Sequence, residues 1–152
     1  MEPIRVLLVD DEPKVLRGLL MRLGLEADIC VVGEAADGAT AVDLAGLLSP
    51  DVVLMDVNLP VIDGISATRE LAARVPQAAV VILSLHDDRA TIERALAAGA
   101  VAFMGKQQMD GDLLGAIRMA AEKVKGGALG KTTEALGKIT DQTERITRKE
   151  QE

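Results

Sequence analysis

Five short apolar runs recur along the chain, and each is followed by a segment with helical spacing. The runs are 4–9 (IRVLLV), 29–32 (ICVV), 52–55 (VVLM), 79–83 (AVVIL) and 101–104 (VAFM). Runs that are continuously apolar, rather than alternating, describe strands covered on both faces. Between them, Pro13 to Leu25 places Leu16, Leu19, Leu20 and Leu23 on one helical face. Gly38 to Leu48 does the same with Ala41, Val42, Ala45 and Leu48, and three further helices are expected over 65–75, 88–98 and 110–124. Asp37 and Asp87 suit helix N-caps, Pro13 a first helical turn and Gly99 a helix stop. A fivefold β-then-α alternation predicts an α/β fold built on a doubly wound parallel sheet.

In such a sheet, chemistry gathers at the carboxyl ends of the strands, where the strand order reverses. The first run ends in Asp10 and Asp11, the third in Asp56 and the fourth in Ser84, and Lys106 follows the fifth. Each has a plain structural reading. Asp10 and Asp11 can cap the helix that begins Glu12-Pro13, Asp56 can be a solvated strand end, and Lys106 can be a surface lysine. Ser84 alone says nothing, and Phe103 alone reads as core. The joint pattern says more than any member. Three carboxylates brought together stay ionised only beside a cation. Magnesium takes oxygen ligands and keeps several waters, so two carboxylates and a backbone carbonyl suffice. An ionised aspartate can attack phosphorus to give an aspartyl phosphate. Phosphoryl transfer then needs in-line placement and neutralisation of the equatorial oxygens. The metal, the Lys106 ammonium and the Ser84 hydroxyl would supply that neutralisation, with Asp56 as nucleophile.

Composition narrows the class. The chain has 152 residues and a net charge of −7, and 49% of it is hydrophobic, which is enough for one aliphatic core. Phe103 is the only aromatic residue. Cys30 is the only cysteine; this excludes an internal disulfide, and its apolar setting predicts a small core residue. Residues 1–130 carry 12 Lys and Arg against 19 Asp and Glu, a balance that repels DNA. The opening residues carry no signal peptide, and no apolar stretch is long enough for a membrane span, so a cytoplasmic protein with no membrane partner is expected.

The segments LLVDDEP, DVVLMDVNLPVIDG, VVILSLHDD and GAVAFMGK stand in an order and spacing that closely resemble a response-regulator receiver domain of two-component signalling. The motifs DVNLPVIDG and GAVAFMGK look most like the NarL/FixJ (LuxR-type) class, and the resemblance covers residues 4–125. It implies a flavodoxin-like strand order, 2-1-3-4-5. It implies that Asp56 accepts a phosphoryl group from a sensor histidine kinase. Magnesium would be held by Asp10, Asp11, Asp56 and the Asn58 carbonyl. Ser84 and Lys106 would bind the phosphoryl group, and Phe103 would be the switch aromatic, turning into space that Ser84 vacates. Asn58 and His86 each follow a site residue by two positions and are expected to tune phosphate lifetime. The chain would be a self-phosphorylating and self-dephosphorylating switch rather than an enzyme, and it could form a homodimer. Gln107 stands where many receivers have proline after the lysine, a proline that this class often lacks.

Residues 128–152 read differently. Leu129, Leu136, Ile139 and Ile146 form a partial heptad, with Thr132 and Thr143 in the other seam positions. Either a solvated linker helix or a short coiled coil fits. Thr147 to Glu150 is a capping box with Ile146 placed as a staple, and ERITRKEQE resembles the opening of the class's helix-turn-helix domain. The expected organisation is a receiver over 1–125 and a linker over 126–152, ending at the start of a missing DNA-binding domain. A stand-alone receiver acting through protein contacts is the alternative, in which the charged end is a natural terminus. An FMN-binding flavodoxin would need a phosphate loop and aromatics that are not here. A haloacid-dehalogenase phosphatase would need a second acid where Asn58 stands, and a nucleoside triphosphatase would need a glycine-rich Lys loop.

Overall fold

In the computed structural model, which describes residues 2–126, five strands alternate with five helices. They are β1 (Ile4–Val9), α1 (Pro13–Leu23), β2 (Ile29–Ala35), α2 (Gly38–Leu48), β3 (Val52–Asp56), α3 (Gly64–Arg74), β4 (Ala79–Ser84), α4 (Arg89–Ala97), β5 (Ala102–Gly105) and α5 (Met109–Gly126). The strands form one sheet in the order β2-β1-β3-β4-β5, and every neighbouring pair is parallel. The order reverses between β1 and β3, so the carboxyl ends of those two strands flank the switch point.

Successive residues of a strand face opposite sides, and the two cores divide along that alternation. Leu7, Val9, Val53, Met55, Val80, Ile82 and Phe103 face α2, α3 and α4. Val6, Leu8, Val52, Leu54, Val81, Leu83 and Met104 face α1 and α5, where Leu19, Leu23, Leu113 and Ile117 complete the layer. Arg118 pins α5 to the turn after α1, with Nε 2.8 Å from Asp28 and Nη2 3.2 Å from Glu26.

Three helices start on the same local device. Asp37, Asp63 and Asp88 each accept from the backbone N–H three residues on, and the Thr or Ser there donates its hydroxyl back. The N-cap of α4 is therefore Asp88 and not Asp87, because only Asp88 stands three residues before Thr91. The hydrogen bonds from Thr40 and Thr91 hold the Asp37 and Asp88 carboxyls below the usual carboxylate range.

Two expectations change for a second reason. Helix α1 ends at Leu23 rather than Leu25, leaving Leu25 exposed. Cys30 is exposed and is no core residue. It lies in β2, an edge strand, where the register to β1 also slips between Val6 and Leu7. An apolar run implies two covered faces only in the interior of a sheet. The tail heptad, the capping box and the boundary at 126–152 lie outside the described residues.

Candidate functional site

The carboxyl ends of β1, β3, β4 and β5 converge on one acidic pocket. Asp10 is the first residue beyond β1 and is buried, whereas Asp11 is exposed. Asp56 is the last residue of β3 and is 5% exposed. One carboxylate oxygen from each of the three lies within 4.8 Å of the others. The Lys106 ammonium enters from beyond β5, with Nζ 2.8 Å from Asp10 Oδ2 and 3.6 Å from Asp56 Oδ2.

These distances answer the structural alternatives. Asp10 Oδ1 does accept from the Glu12 N–H at 2.9 Å, yet the N-cap of α1 is Glu12, which caps with no side chain. Neither Asp10 nor Asp11 is explained as a cap. Asp56 is no solvated strand end, and Lys106 is no free surface lysine. Burial pushes the Asp56 carboxyl up to about 6, and the neighbouring Asp10 charge pushes the same way. Lys106 and the Asn58 backbone N–H pull it down. Burial alone would lower the Lys106 ammonium, but the hydrogen bond to Asp10 and the Asp56 charge together raise it. One ammonium therefore serves two buried carboxylates, with the third acid at the rim. Such a donor set of hard oxygens with incomplete neutralisation fits a divalent cation such as magnesium.

The loop after β3 is built tightly around this acid. The Gly64 N–H donates to the Val57 carbonyl at 2.8 Å. A Cβ on Gly64 would fall on the Asp56 carbonyl oxygen, and one on Gly38 would fall on the Ile62 carbonyl oxygen. Only glycine permits the first turns of α3 and α2 to approach so closely. Val61 in this loop is exposed and held at φ 71, a strained region for a β-branched residue. Asn58 is exposed beside the pocket.

Ser84, the last residue of β4, is fully buried, and its Oγ accepts from the His86 N–H at 3.0 Å. His86 itself is exposed. Phe103 is 5% exposed and packs in the core beneath α4 with Ile82 and Ile92. The ring thus already lies inside; the outward starting position that an inward turn requires is not the one seen here. Two features had escaped the sequence reading. The closeness of Gly64 to Asp56 had a signal, the Asp63-Gly64 pair that opens α3. The hydrogen bond from Gln107 Nε2 to Asp87 Oδ2, 3.4 Å, had none, because its partners are 20 residues apart.

Comparison with known proteins agrees with this geometry. Residues 6–118 match the family model described as the response regulator receiver domain. The chain is similar to the transcriptional regulatory protein DegU of Brevibacillus brevis, 37% identical over 126 residues, covering 82% of this chain and 52% of that protein. It is similar to the nitrate/nitrite response regulator protein NarL of Escherichia coli K12, 33% identical over 79% of this chain and 56% of that one. The chain thus spans little more than half the length of these curated relatives. Among solved structures, the receiver domain of a NarL regulator from Mycobacterium tuberculosis superposes with a TM-score of 0.76 at 33% identity, covering 80% of this chain and 98% of that one. A CheX–CheY–BeF3–Mg complex from Borrelia burgdorferi matches with a TM-score of 0.70 at 25% identity, covering 78% and 89%. Among the described residues, no helix is long and apolar enough to cross a membrane. With the family's motifs over residues 6–118, the 2-1-3-4-5 sheet and solved relatives of the same fold, the chain belongs to the response regulator receiver domain family of two-component signalling.

Proposed function

We propose that this receiver takes a phosphoryl group on Asp56 from a sensor histidine kinase, with magnesium bound by Asp10, Asp11, Asp56 and the Asn58 carbonyl. The observation that carries the reading is the Asp56 carboxylate itself, buried at a strand end with Lys106 Nζ 3.6 Å away. The Asp56 oxygen attacks phosphorus as the bond from phosphorus to the donor nitrogen breaks. Lys106 faces the equatorial oxygens, and Ser84 donates its hydroxyl to one of them once its loop moves inward. Magnesium held by those residues would supply neutralisation of the charge that builds up on the phosphoryl oxygens. The related structure named for its BeF3 and Mg components supports this chemistry.

The added group brings about −1.5 to −2 charges and three acceptor oxygens, which favour the arrangement with Ser84 drawn in. Because Phe103 is already inside, closure of the Ser84 loop would not require that ring to turn inward first. On this reading residues 1–125 are the switch and not an enzyme, and the output is transcriptional, exerted through a DNA-binding domain. The relatives described as transcriptional and nitrate/nitrite response regulators support that output, and the acidic receiver is not itself the DNA-binding surface. The homodimer belongs to the same proposal.

Incubation with acetyl phosphate and magnesium tests the reading. Intact mass should show one added phosphoryl group that is lost with EDTA present during labelling. A chain that takes no label, or takes it without the metal, refutes it. Asn58 and His86 are both exposed, each two residues beyond a site residue, and are proposed to tune the approach of the attacking water. His86→Ala should leave labelling intact and change the decay rate several-fold. Superimposable decay profiles would remove His86 from the account.

A further inference from the structure

The loop from Leu85 to Asp88 is the segment that has to move for Ser84 to reach a phosphoryl group, and it is tied at both ends. At one end, the His86 N–H donates to Ser84 Oγ at 3.0 Å. At the other, Asp88 caps α4 through the Thr91 N–H at 3.2 Å and its hydroxyl at 2.7 Å. Between them, Asp87 Oδ2 accepts from Gln107 Nε2 at 3.4 Å across the sheet edge.

The position of Gln107 matters. Strands β4 and β5 are in register at Ser84 and Gly105, so the two loops leave the sheet side by side. Gln107 directly follows Lys106, whose Nζ is fixed 2.8 Å from Asp10 and 3.6 Å from Asp56. The glutamine is therefore mounted on a turn anchored to the acidic pocket, and it holds the neighbouring loop by a single hydrogen bond. A ring-constrained proline at this position would have no side-chain donor to offer.

We propose that Gln107 is a positioning residue, whose hydrogen bond to Asp87 latches the β4–α4 loop in its unphosphorylated arrangement and so sets how readily Ser84 closes onto a phosphoryl group at Asp56. The inference rests on the phosphoacceptor reading above. The latch acts on a two-state balance: it is made in the open arrangement and has to yield as the loop carries Ser84 toward Asp56. It also joins the turn that bears Lys106 to the start of α4, so closure at the pocket is transmitted to that helix.

The test uses the full 152-residue chain, with beryllofluoride and magnesium as the probe and calorimetry as the readout. Gln107→Ala and Asp87→Ala should each tighten beryllofluoride binding by about threefold, the size expected of one exposed hydrogen bond. The double variant should bind no tighter than either single one, because both remove the same bond. Asp87→Asn keeps an acceptor for Gln107 while removing the charge, and it should return binding to the wild-type value. Thermal melting of all four should match wild type, since the bond they share is exposed. Unchanged affinity, weaker binding, additive effects, or an Asp87→Asn protein that behaves like Asp87→Ala would each overturn the latch. In the last case the carboxylate charge, and not the bond, would be responsible. A wild-type chain that binds beryllofluoride and takes label while the variants fail these tests refutes the latch alone. A wild type that does neither refutes the phosphoacceptor reading and the latch with it.

Discussion

Asp56→Asn is expected to abolish acetyl-phosphate labelling and, in the absence of metal, to make the protein more stable. Both effects come from the same buried charge. Asparagine keeps the shape but offers no anionic oxygen to attack phosphorus, so the adduct should vanish at any magnesium concentration. An equally labelled variant would move the phosphorylation site elsewhere. The stability effect follows from the environment. The Asp56 carboxyl is raised from 3.8 to about 6, chiefly by burial and then by Asp10. A carboxyl whose folded value lies above its unfolded one opposes folding only when ionised. The opposition is absent below about pH 4, grows between pH 4 and 6 and is complete above pH 6, where two units correspond to at most about 3 kcal/mol. Asparagine does not titrate. In EDTA the variant should therefore match wild type near pH 4 and exceed it by about 2–3 kcal/mol at pH 7.5, as measured by urea unfolding. Saturating magnesium should shrink or reverse the difference, because the intact carboxylate binds the ion more tightly. A gain of stability that is equal at both pH values would show that the acid is not held as described.

Gly64→Ala should be the most damaging single methyl in the receiver. A Cβ there meets the Asp56 carbonyl oxygen, a backbone atom that cannot rotate away. Relief requires α3 to withdraw from the end of β3, which breaks the Gly64 N–H to Val57 hydrogen bond. Overpacking against backbone should destabilise by about 3 kcal/mol and lower Tm by about 10 °C. Labelling should slow as well, because the displaced carbonyl belongs to Asp56, the proposed phosphoacceptor. Gly46→Ala in α2 is the control: nothing lies within 4 Å of its Cβ position, so the helix should gain about 0.5–1 kcal/mol. Equal melting of the two variants would mean that the approach at Gly64 is looser than drawn.

How much of the site was legible depends on how local each signal is. Asp10, Asp56 and Ser84 could be read because strand ends are written as the point where an apolar run meets a polar residue. The cap of α4 was misplaced by one residue, since Asp87 and Asp88 are equivalent as letters. They are separated only by which carboxylate reaches the Thr91 N–H. Cys30 was misread because an edge strand and an inner strand can carry the same apolar run; strand order decides which face is covered. The burial of Phe103 agrees with the plain reading of its apolar run, whereas the Gln107–Asp87 bond had no sequence signature, because it is set by neighbours brought in from other elements.

By itself, the sequence determined the alternation of strands and helices, the parallel sheet, and which polar residues stand at the strand ends. Those properties follow from periodicity and turn chemistry, which act over a few residues. Tertiary structure alone decided that Lys106 lies between Asp10 and Asp56, that burial raises one of those acids, and that α3 touches the Asp56 backbone. Distance, desolvation and steric exclusion are relations between segments far apart in the chain, and they take values only once the sheet has brought those segments together.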